Sequence, residues 1–139
     1  DMLSTILKEV DKEDVVYLLP ETGHSGDDAE ETREWGNFKI LLDEPNVKIK
    51  KITVNPSSRL SLQLHRNRSE WWKVIKGKGV VQVGASEWLL EEGDTVNIGK
   101  LEVHRITNEA DSPLIFVEVQ TGECQESDII RIEDDYGRA

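Results

Sequence analysis

Four side chains of metal-binding types, Gln63, His65, Glu70 and His104, are placed in this sequence so that they could meet in one site. Gln63 and His65 lie two residues apart in the alternating run Arg59–His65, so both project from one face of a predicted strand. Glu70 begins the next predicted strand after a short polar turn, and His104 lies far downstream. Imidazole nitrogen, carboxylate oxygen and amide oxygen all suit a borderline ion such as zinc. By residue type alone, an ordinary polar strand face with a structural histidine explains the pattern at least as well.

The elements that would position these side chains are predicted to be strands. From Trp35 onward, short apolar or alternating runs recur every eight to twelve residues, separated by Gly, Pro, Asn or charged turns. No helix-length periodic segment interrupts them, so the pattern predicts an all-β chain folded as an antiparallel sandwich or barrel. The predicted strands are Phe38–Leu42, Val47–Val54, Arg59–His65, Trp71–Ile75, Val80–Val83, Glu87–Leu90, Thr95–Ile98, Val103–Ile106, Leu114–Gln120 and Ile129–Ile132.

The chain is predicted to form one domain preceded by an N-terminal extension. Its 139 residues suit a single domain. Residues 1–32 are assigned to the extension, because residues 20–34 are acidic and lack large apolar side chains, which is typical of a linker or a disordered arm. Residues 33–139 are assigned to the folded domain.

Charge and cysteine content narrow the class of partner and the compartment. The formal net charge of −11 would be repelled by nucleic acid and by an anionic membrane surface, so neither is expected as a partner. Cys124 is the single cysteine, which excludes an intrachain disulfide and suits a reducing compartment. No apolar run approaches the ~18 residues of a membrane span and no signal peptide is visible, so a cytoplasmic protein is expected.

The spacing around the first three candidate ligands resembles the first motif of the cupins. That motif runs from a His-x-His pair to a glutamate and then, after six intervening residues, to a glycine. Gln63, His65, Glu70 and Gly77 stand at the matching positions, with Gln63 in place of the first histidine.

The sequence around the fourth candidate ligand, His104, resembles the second motif of the cupins. Gly93, His104 and Asn108 match its first glycine, its histidine and its asparagine at the expected intervals. Gly99 and Leu101 stand where the motif usually has proline and glycine.

A more specific resemblance covers residues 33 to 138. Arg59–Trp72 is similar to the signature of the mannose-6-phosphate isomerase type II family, which in many members is the C-terminal half of a bifunctional mannose-1-phosphate guanylyltransferase and isomerase. Further segments match in order along the chain. These segments are Arg33–Gly36, Glu102–Arg105, Glu118–Gly122 and Asp128–Arg138.

The resemblance implies a fold, a metal and a reaction. The fold would be the cupin double-stranded β-helix, a jelly roll with a metal in its mouth, and residues 33–139 would be the cupin domain. Gln63, His65, Glu70 and His104 would bind a divalent metal, with zinc expected. The reaction would interconvert mannose 6-phosphate and fructose 6-phosphate, which needs a general base. Glu118, on a late strand, is the candidate, and a surface or structural carboxylate explains this residue at least as well.

A small-molecule sugar phosphate as substrate requires cationic side chains. Arg59 and Arg138 are assigned, with the candidate base, to the catalytic group. Arg68, Arg105 and Asn67 are assigned to substrate binding. A surface ion pair with the surplus acids is the alternative for each arginine. A homodimer through outer-face strands is compatible with a jelly roll.

Departures from the family pattern keep other functions open. Asn67 stands where the family has a second histidine, and Ser57 and Ser58 stand where glycines are usual. A non-catalytic or regulatory cupin that binds a sugar or sugar phosphate is therefore the alternative to an isomerase. A different metal cupin, such as an iron oxygenase, is a third hypothesis, and Gln63 counts modestly against it.

Overall fold

The computed structural model describes residues 30–138, and within this range the chain is built from strands without a helix. No segment there forms a helix long and apolar enough to cross a membrane. The strands are β1 (Glu31–Arg33), β2 (Gly36–Glu44), β3 (Val47–Val54), β4 (Ser58–Arg59), β5 (Leu62–Leu64), β6 (Arg68–Lys76), β7 (Gly79–Val83), β8 (Ser86–Leu90), β9 (Thr95–Ile98), β10 (His104–Asn108), β11 (Leu114–Gly122) and β12 (Ile130–Glu133).

The strands form two antiparallel sheets. The first sheet has the order β1-β2-β3-β11-β6-β9, and the second has the order β12-β5-β10-β7-β8, with β4 pairing to β10. Strands far apart in sequence are neighbours in both sheets, as in a jelly roll. The predicted all-β architecture is confirmed. Most of the predicted extension, residues 1–29, lies outside the described residues, and β1 begins just before the predicted domain boundary.

The main core lies between the two sheets. Trp72 and Phe116 of the first sheet pack with ring centroids 4.9 Å apart, and Ile106 of the second sheet is fully buried against the same cluster. Alternation along each strand sends these apolar side chains inward. The core packs from Trp35, Phe38, Ile52, Val54, Trp72, Val74, Val81, Leu90, Val96, Ile98, Ile106, Leu114 and Phe116.

A second apolar cluster lies on the other face of the first sheet. Trp71 belongs to it although its neighbour Trp72 belongs to the main core, because adjacent residues of a strand face opposite ways. Val47, Ile49, Val117 and Val119 complete the buried cluster. The first sheet is therefore apolar on both faces.

The predicted strand Arg59–His65 is interrupted by a bulge. Arg59 pairs with Thr107, and Gln63 pairs with His104. The chain advances four residues from Arg59 to Gln63 while the partner strand advances only three, so one residue is extra. The extra residue reverses which face later side chains occupy. Arg59 therefore projects from the face opposite to that of Gln63, although simple alternation would place them together.

Two turns have a left-handed backbone at positions where the motifs that the sequence resembles have glycine. Ser57 has φ of 59° and Leu101 has φ of 67°. Side chains at such angles meet their own backbone at a cost of roughly 1–2 kcal/mol per residue. The Leu101 turn is held by its backbone N–H, which donates to the His65 carbonyl oxygen at 2.7 Å.

Candidate metal centre

His65, Glu70 and His104 converge at one end of the space between the sheets. Their ligand atoms all lie within 4.8 Å of one another, and all three side chains are buried. Glu70 lies centrally: its Oε2 is 3.2 Å from His65 Nε2, and its Oε1 is 3.7 Å from His104 Nε2. His65 follows β5, Glu70 lies in β6 and His104 opens β10, so three strands position the triad.

Backbone carbonyl groups fix the orientation of both imidazoles. His65 Nδ1 donates to the Asp128 carbonyl oxygen at 2.6 Å, and His104 Nδ1 donates to the Glu102 carbonyl oxygen at 2.8 Å. Burial, followed by the charge of Arg68, lowers the pKa of His65 to about 4, and burial lowers the pKa of His104. Both rings are therefore neutral near pH 7 and present Nε2 lone pairs toward Glu70.

The donor set fits a divalent cation. His104 Nε2 is buried and has no hydrogen-bond partner in the described part of the chain. An unpartnered buried lone pair is costly, and a cation placed between the triad atoms would satisfy it. Two neutral imidazoles and one carboxylate are the ligand types of metal sites that keep positions open for water or substrate.

Gln63 lies beside the triad without being buried in it. It pairs directly with His104 across β5 and β10, which puts both side chains on the inner face of the second sheet. Its Oε1 accepts a hydrogen bond from Ser61 Oγ at 2.8 Å. The predicted ligand role of Gln63 stays a prediction.

Arg68 extends into the triad. Its Nε donates to Glu70 Oε2 at 2.9 Å, and its Nη2 lies 3.1 Å from His65 Nε2, while Nη1 is buried without a partner in residues 30–138. The guanidinium thus takes the lone pairs that a metal would use. Arg68 was predicted to bind substrate, and the structure places it between the triad and the adjoining cleft.

Glu118 is a buried carboxyl beside the triad. It projects from β11 into the same space, and Gln120 Nε2 donates to its Oε2 at 2.7 Å. Burial, followed by the negative charge of Glu70, raises the pKa of Glu118 to about 7. A carboxyl with this pKa can accept and release a proton near neutral pH.

A cationic cleft adjoins the triad: Gln63, Arg68 and Glu118 line it, whereas His65, Glu70 and His104 do not. Its volume is about 130 Å³. Although the chain carries a net charge of −11, more cations than acids line this cleft. Its charged lining residues are Arg33, Lys50, Arg68, Glu118, Glu126, Arg131 and Arg138.

Three of the predicted catalytic or substrate-binding residues are not brought to the cleft. Arg59 lies beyond the bulge and forms a two-pronged ion pair with the exposed Asp135 at 2.7 and 2.8 Å. Arg105 projects from the face opposite His104, where it donates to the Leu60 carbonyl oxygen. Asn67 is exposed on the turn before β6.

Arg138 does reach the cleft, but its guanidinium is engaged. It pairs with both carboxylate oxygens of Asp134, at 2.9 and 3.0 Å.

One functional candidate was missed at the sequence level. Arg131 lies between Ile130 and Ile132, and that pattern predicts buried isoleucines with an exposed arginine. The structure has the opposite arrangement: both isoleucines are exposed and Arg131 lines the cleft. Alternation alone does not give the face on which Arg131 lies, because that face is set by the pairing of β12 with β5, which is remote in sequence.

Comparison with known proteins agrees with this architecture. The family model described as mannose-6-phosphate isomerase C-terminal matches residues 23–134. A mannose-1-phosphate guanylyltransferase of Klebsiella pneumoniae is 36% identical over 107 residues, which cover 76% of this chain and 23% of that protein. The alginate biosynthesis protein AlgA of Pseudomonas aeruginosa is 40% identical over 107 residues, covering 76% and 22% respectively. The chain thus spans less than a quarter of the length of these relatives.

A solved structure supports the fold. A Klebsiella pneumoniae protein with a double-stranded β-helix domain superposes with a TM-score of 0.68 at 17% identity, covering 83% of this chain and 99% of that one. Together with the family match over residues 23–134, this shows that the chain belongs to the mannose-6-phosphate isomerase C-terminal family and adopts the cupin double-stranded β-helix.

Proposed function

We propose that this chain is a metal-dependent cupin isomerase that interconverts mannose 6-phosphate and fructose 6-phosphate. The observation that carries the proposal is the position of Glu118, which lies between the His65–Glu70–His104 triad and a cationic cleft. An aldose–ketose isomerase needs a proton carrier, a means of polarising the sugar oxygens and a site for the phosphate. This region of the protein offers candidates for all three.

The triad, with Gln63 at its edge, would hold a divalent metal, and Zn²⁺ is the ion we propose. When bound, the metal would polarise the sugar oxygens and stabilise negative charge that develops on them. His65 and His104 are suited to this role because their Nδ1 hydrogen bonds hold the rings in place before any metal binds.

Glu118 is the proposed proton carrier. Its carboxylate would take the proton from carbon 2 of mannose 6-phosphate, and the resulting carboxylic acid would return a proton to carbon 1 of the enediol. The proton of the oxygen-2 hydroxyl would pass to oxygen 1, which completes the isomerisation. The raised pKa suits both steps, because the group is partly protonated near pH 7. Gln120 would hold Oε2 in position for this transfer.

The decisive experiment measures turnover by NMR in deuterated water. Metal-free protein receives Zn²⁺, and conversion of fructose 6-phosphate to mannose 6-phosphate is followed together with deuterium uptake at the exchanging carbons. We expect zinc-dependent turnover, loss in His65→Ala, and a decrease of about 10²- to 10⁴-fold in Glu118→Gln. Arg66→Met, which changes an exposed arginine outside the cleft, is the matched control and should retain activity.

Measuring zinc binding by Glu118→Gln shows whether the substitution removes only the proton carrier or also the metal site. A Glu118→Gln variant that binds zinc and still turns over at the wild-type rate would refute the assigned role of Glu118. Wild-type protein that binds the sugar phosphate but does not convert it with any divalent metal would refute the isomerase proposal. It would leave the alternative of a sugar-phosphate-binding cupin.

A further inference from the structure

Arg131 is the one cleft cation without an acidic partner in residues 30–138. Each other cationic side chain of the lining is engaged there: Arg33 with Glu31, Lys50 with Glu126, Arg68 with Glu70 and Arg138 with Asp134. No hydrogen bond or ion pair joins Arg131 to any side chain in the same range, and its Nε is buried without a partner.

The placement of Arg131 leaves its guanidinium available to an anion. β12 exposes Ile130 by 36% and Ile132 by 47%, and turns the arginine between them into the cleft. Burial, followed by the positive charge of the neighbouring Arg138, lowers the pKa of Arg131. An unpaired, partly buried guanidinium near another cation is stabilised when an anion binds it.

Strand register relates Arg131 to the triad. Arg131 pairs with Gln63 across β12 and β5, and Gln63 pairs with His104 across β5 and β10. Directly opposite residues share a face, so the three side chains form one row on the inner face of the second sheet. Two strand spacings, roughly 10 Å, separate the backbone of Arg131 from that of His104.

We propose that Arg131 binds the phosphate group of the substrate at the end of the cleft away from the triad. This inference rests on the proposed function, because it assigns the phosphate site of the same cleft. The ligand class is a sugar phosphomonoester. Its phosphate dianion is several bonds away from the sugar oxygens that would reach the triad. Arg33 and Arg138 contribute positive charge at the rim, while their own donors remain largely bound to acids.

The test measures dissociation constants by calorimetry, using zinc-loaded protein. The ligands are fructose 6-phosphate, fructose and inorganic phosphate, and the variants are Arg131→Met, Arg131→Lys and the matched control Arg66→Met. We expect Arg131→Met to weaken binding of fructose 6-phosphate by about 10- to 100-fold, and Arg131→Lys to weaken it less. Fructose binding and zinc affinity should not change, which shows that the triad end of the cleft is intact.

The outcomes separate this inference from the proposed function. If Arg131→Met and Arg66→Met bind fructose 6-phosphate equally well while the wild type turns over, the isomerase proposal stands and the role of Arg131 is refuted. If binding depends on Arg131 but no turnover occurs, the phosphate site stands and the isomerase proposal is refuted. Wild-type protein that binds neither fructose 6-phosphate nor inorganic phosphate would overturn both.

Discussion

Arg68 and a metal ion would compete for the same atoms. The guanidinium donates to Glu70 Oε2 and contacts His65 Nε2, and these are the lone pairs that a divalent ion would need. One positive charge therefore already compensates the buried carboxylate of Glu70. Metal binding would require Arg68 to leave the triad, and the adjoining cleft is the space that the side chain already borders.

Replacing Arg68 should make metal binding tighter. In Arg68→Met the competing cation is absent, so we expect the dissociation constant for Zn²⁺ to fall by about tenfold, which corresponds to roughly 1.4 kcal/mol. Competition with a chromogenic chelator measures the constant. Arg66→Met removes an equal charge from the exposed turn and should change the constant little. Weaker zinc binding in Arg68→Met would show that Arg68 supports the site instead of competing with the metal.

The turn between β9 and β10 positions His104 at an energetic cost. Leu101 is 63% exposed and has a φ of 67°, so its side chain gains little from packing while its backbone is strained. The Leu101 N–H bond to the His65 carbonyl oxygen ties this turn to the residue that supplies another triad nitrogen. The turn geometry is thus retained without the glycine that would adopt it readily.

Glycine at position 101 should stabilise the protein. In Leu101→Gly, relief of the left-handed strain exceeds the added chain entropy, and we expect the free energy of unfolding to rise by about 1 kcal/mol. Urea denaturation of the metal-free protein measures it. The control is Leu89→Gly, which removes a similarly exposed leucine from β8 and should lower the free energy of unfolding. A decrease in both variants would contradict the strain argument.

The segment between β11 and β12 is attached to β3 by one carboxylate. Glu126 Oε1 lies 2.6 Å from Lys50 Nζ and 3.3 Å from Lys48 Nζ, and both lysines are buried. These two ammonium groups outweigh desolvation and lower the pKa of Glu126 to about 2. The pKa is lower in the folded state than the ordinary value of 4.5, so this stabilisation is present above pH 4.5.

Glu126→Gln should show this stabilisation as a pH-dependent difference. Because the carboxylate is 60% exposed, we expect a loss of only about 1 kcal/mol above pH 4.5. The difference in melting temperature from the wild type should shrink as pH falls from 4.5 toward 2. Glu123→Gln, in the same segment, should show no such trend. A difference that is constant over this pH range would exclude ionisation of Glu126 as its cause.

The sequence was a good guide to the strands and a poor guide to side-chain direction near the bulge. Nine of the ten predicted strands each correspond to one observed strand, and the tenth, Arg59–His65, is divided into β4 and β5. Alternation and turn residues are local signals, which is why they were found. Arg59 was expected near the site, but the extra residue between Arg59 and Gln63 turns it to the opposite face. Arg131 was missed because its position depends on pairing between β12 and β5, which are remote in sequence. The triad could be predicted because the spacing of the family motifs identifies residues that meet in the fold although they are remote in sequence.

At the scale of the whole molecule, the two sheets join segments that are far apart in sequence around the triad. His104 and Glu70 lie in different sheets, so an ion that binds both would connect the sheets directly. Such a connection exists only in the folded state. Metal binding should therefore oppose global unfolding.

Zinc should raise the melting temperature. At a free concentration of 100 times the dissociation constant, binding contributes about 2.7 kcal/mol, which corresponds to a rise of roughly 10 °C for a domain of this size. Thermal unfolding with zinc and with a chelator measures the difference. His104→Ala removes one nitrogen of the triad and should abolish most of the rise. An equal rise in His104→Ala would place the stabilising ion elsewhere.

The indole of Trp72 is hydrogen-bonded to the carboxylate of Glu70. Its Nε1–H donates to Glu70 Oε1 at 3.0 Å, and its ring meets the His104 ring edge-on, with centroids 5.7 Å apart. Tryptophan emission depends on the charges and hydrogen bonds around the ring, so a change of charge at Glu70 should alter the fluorescence of Trp72. The protein therefore contains its own optical probe, through which events at the triad can be followed in real time without an added label.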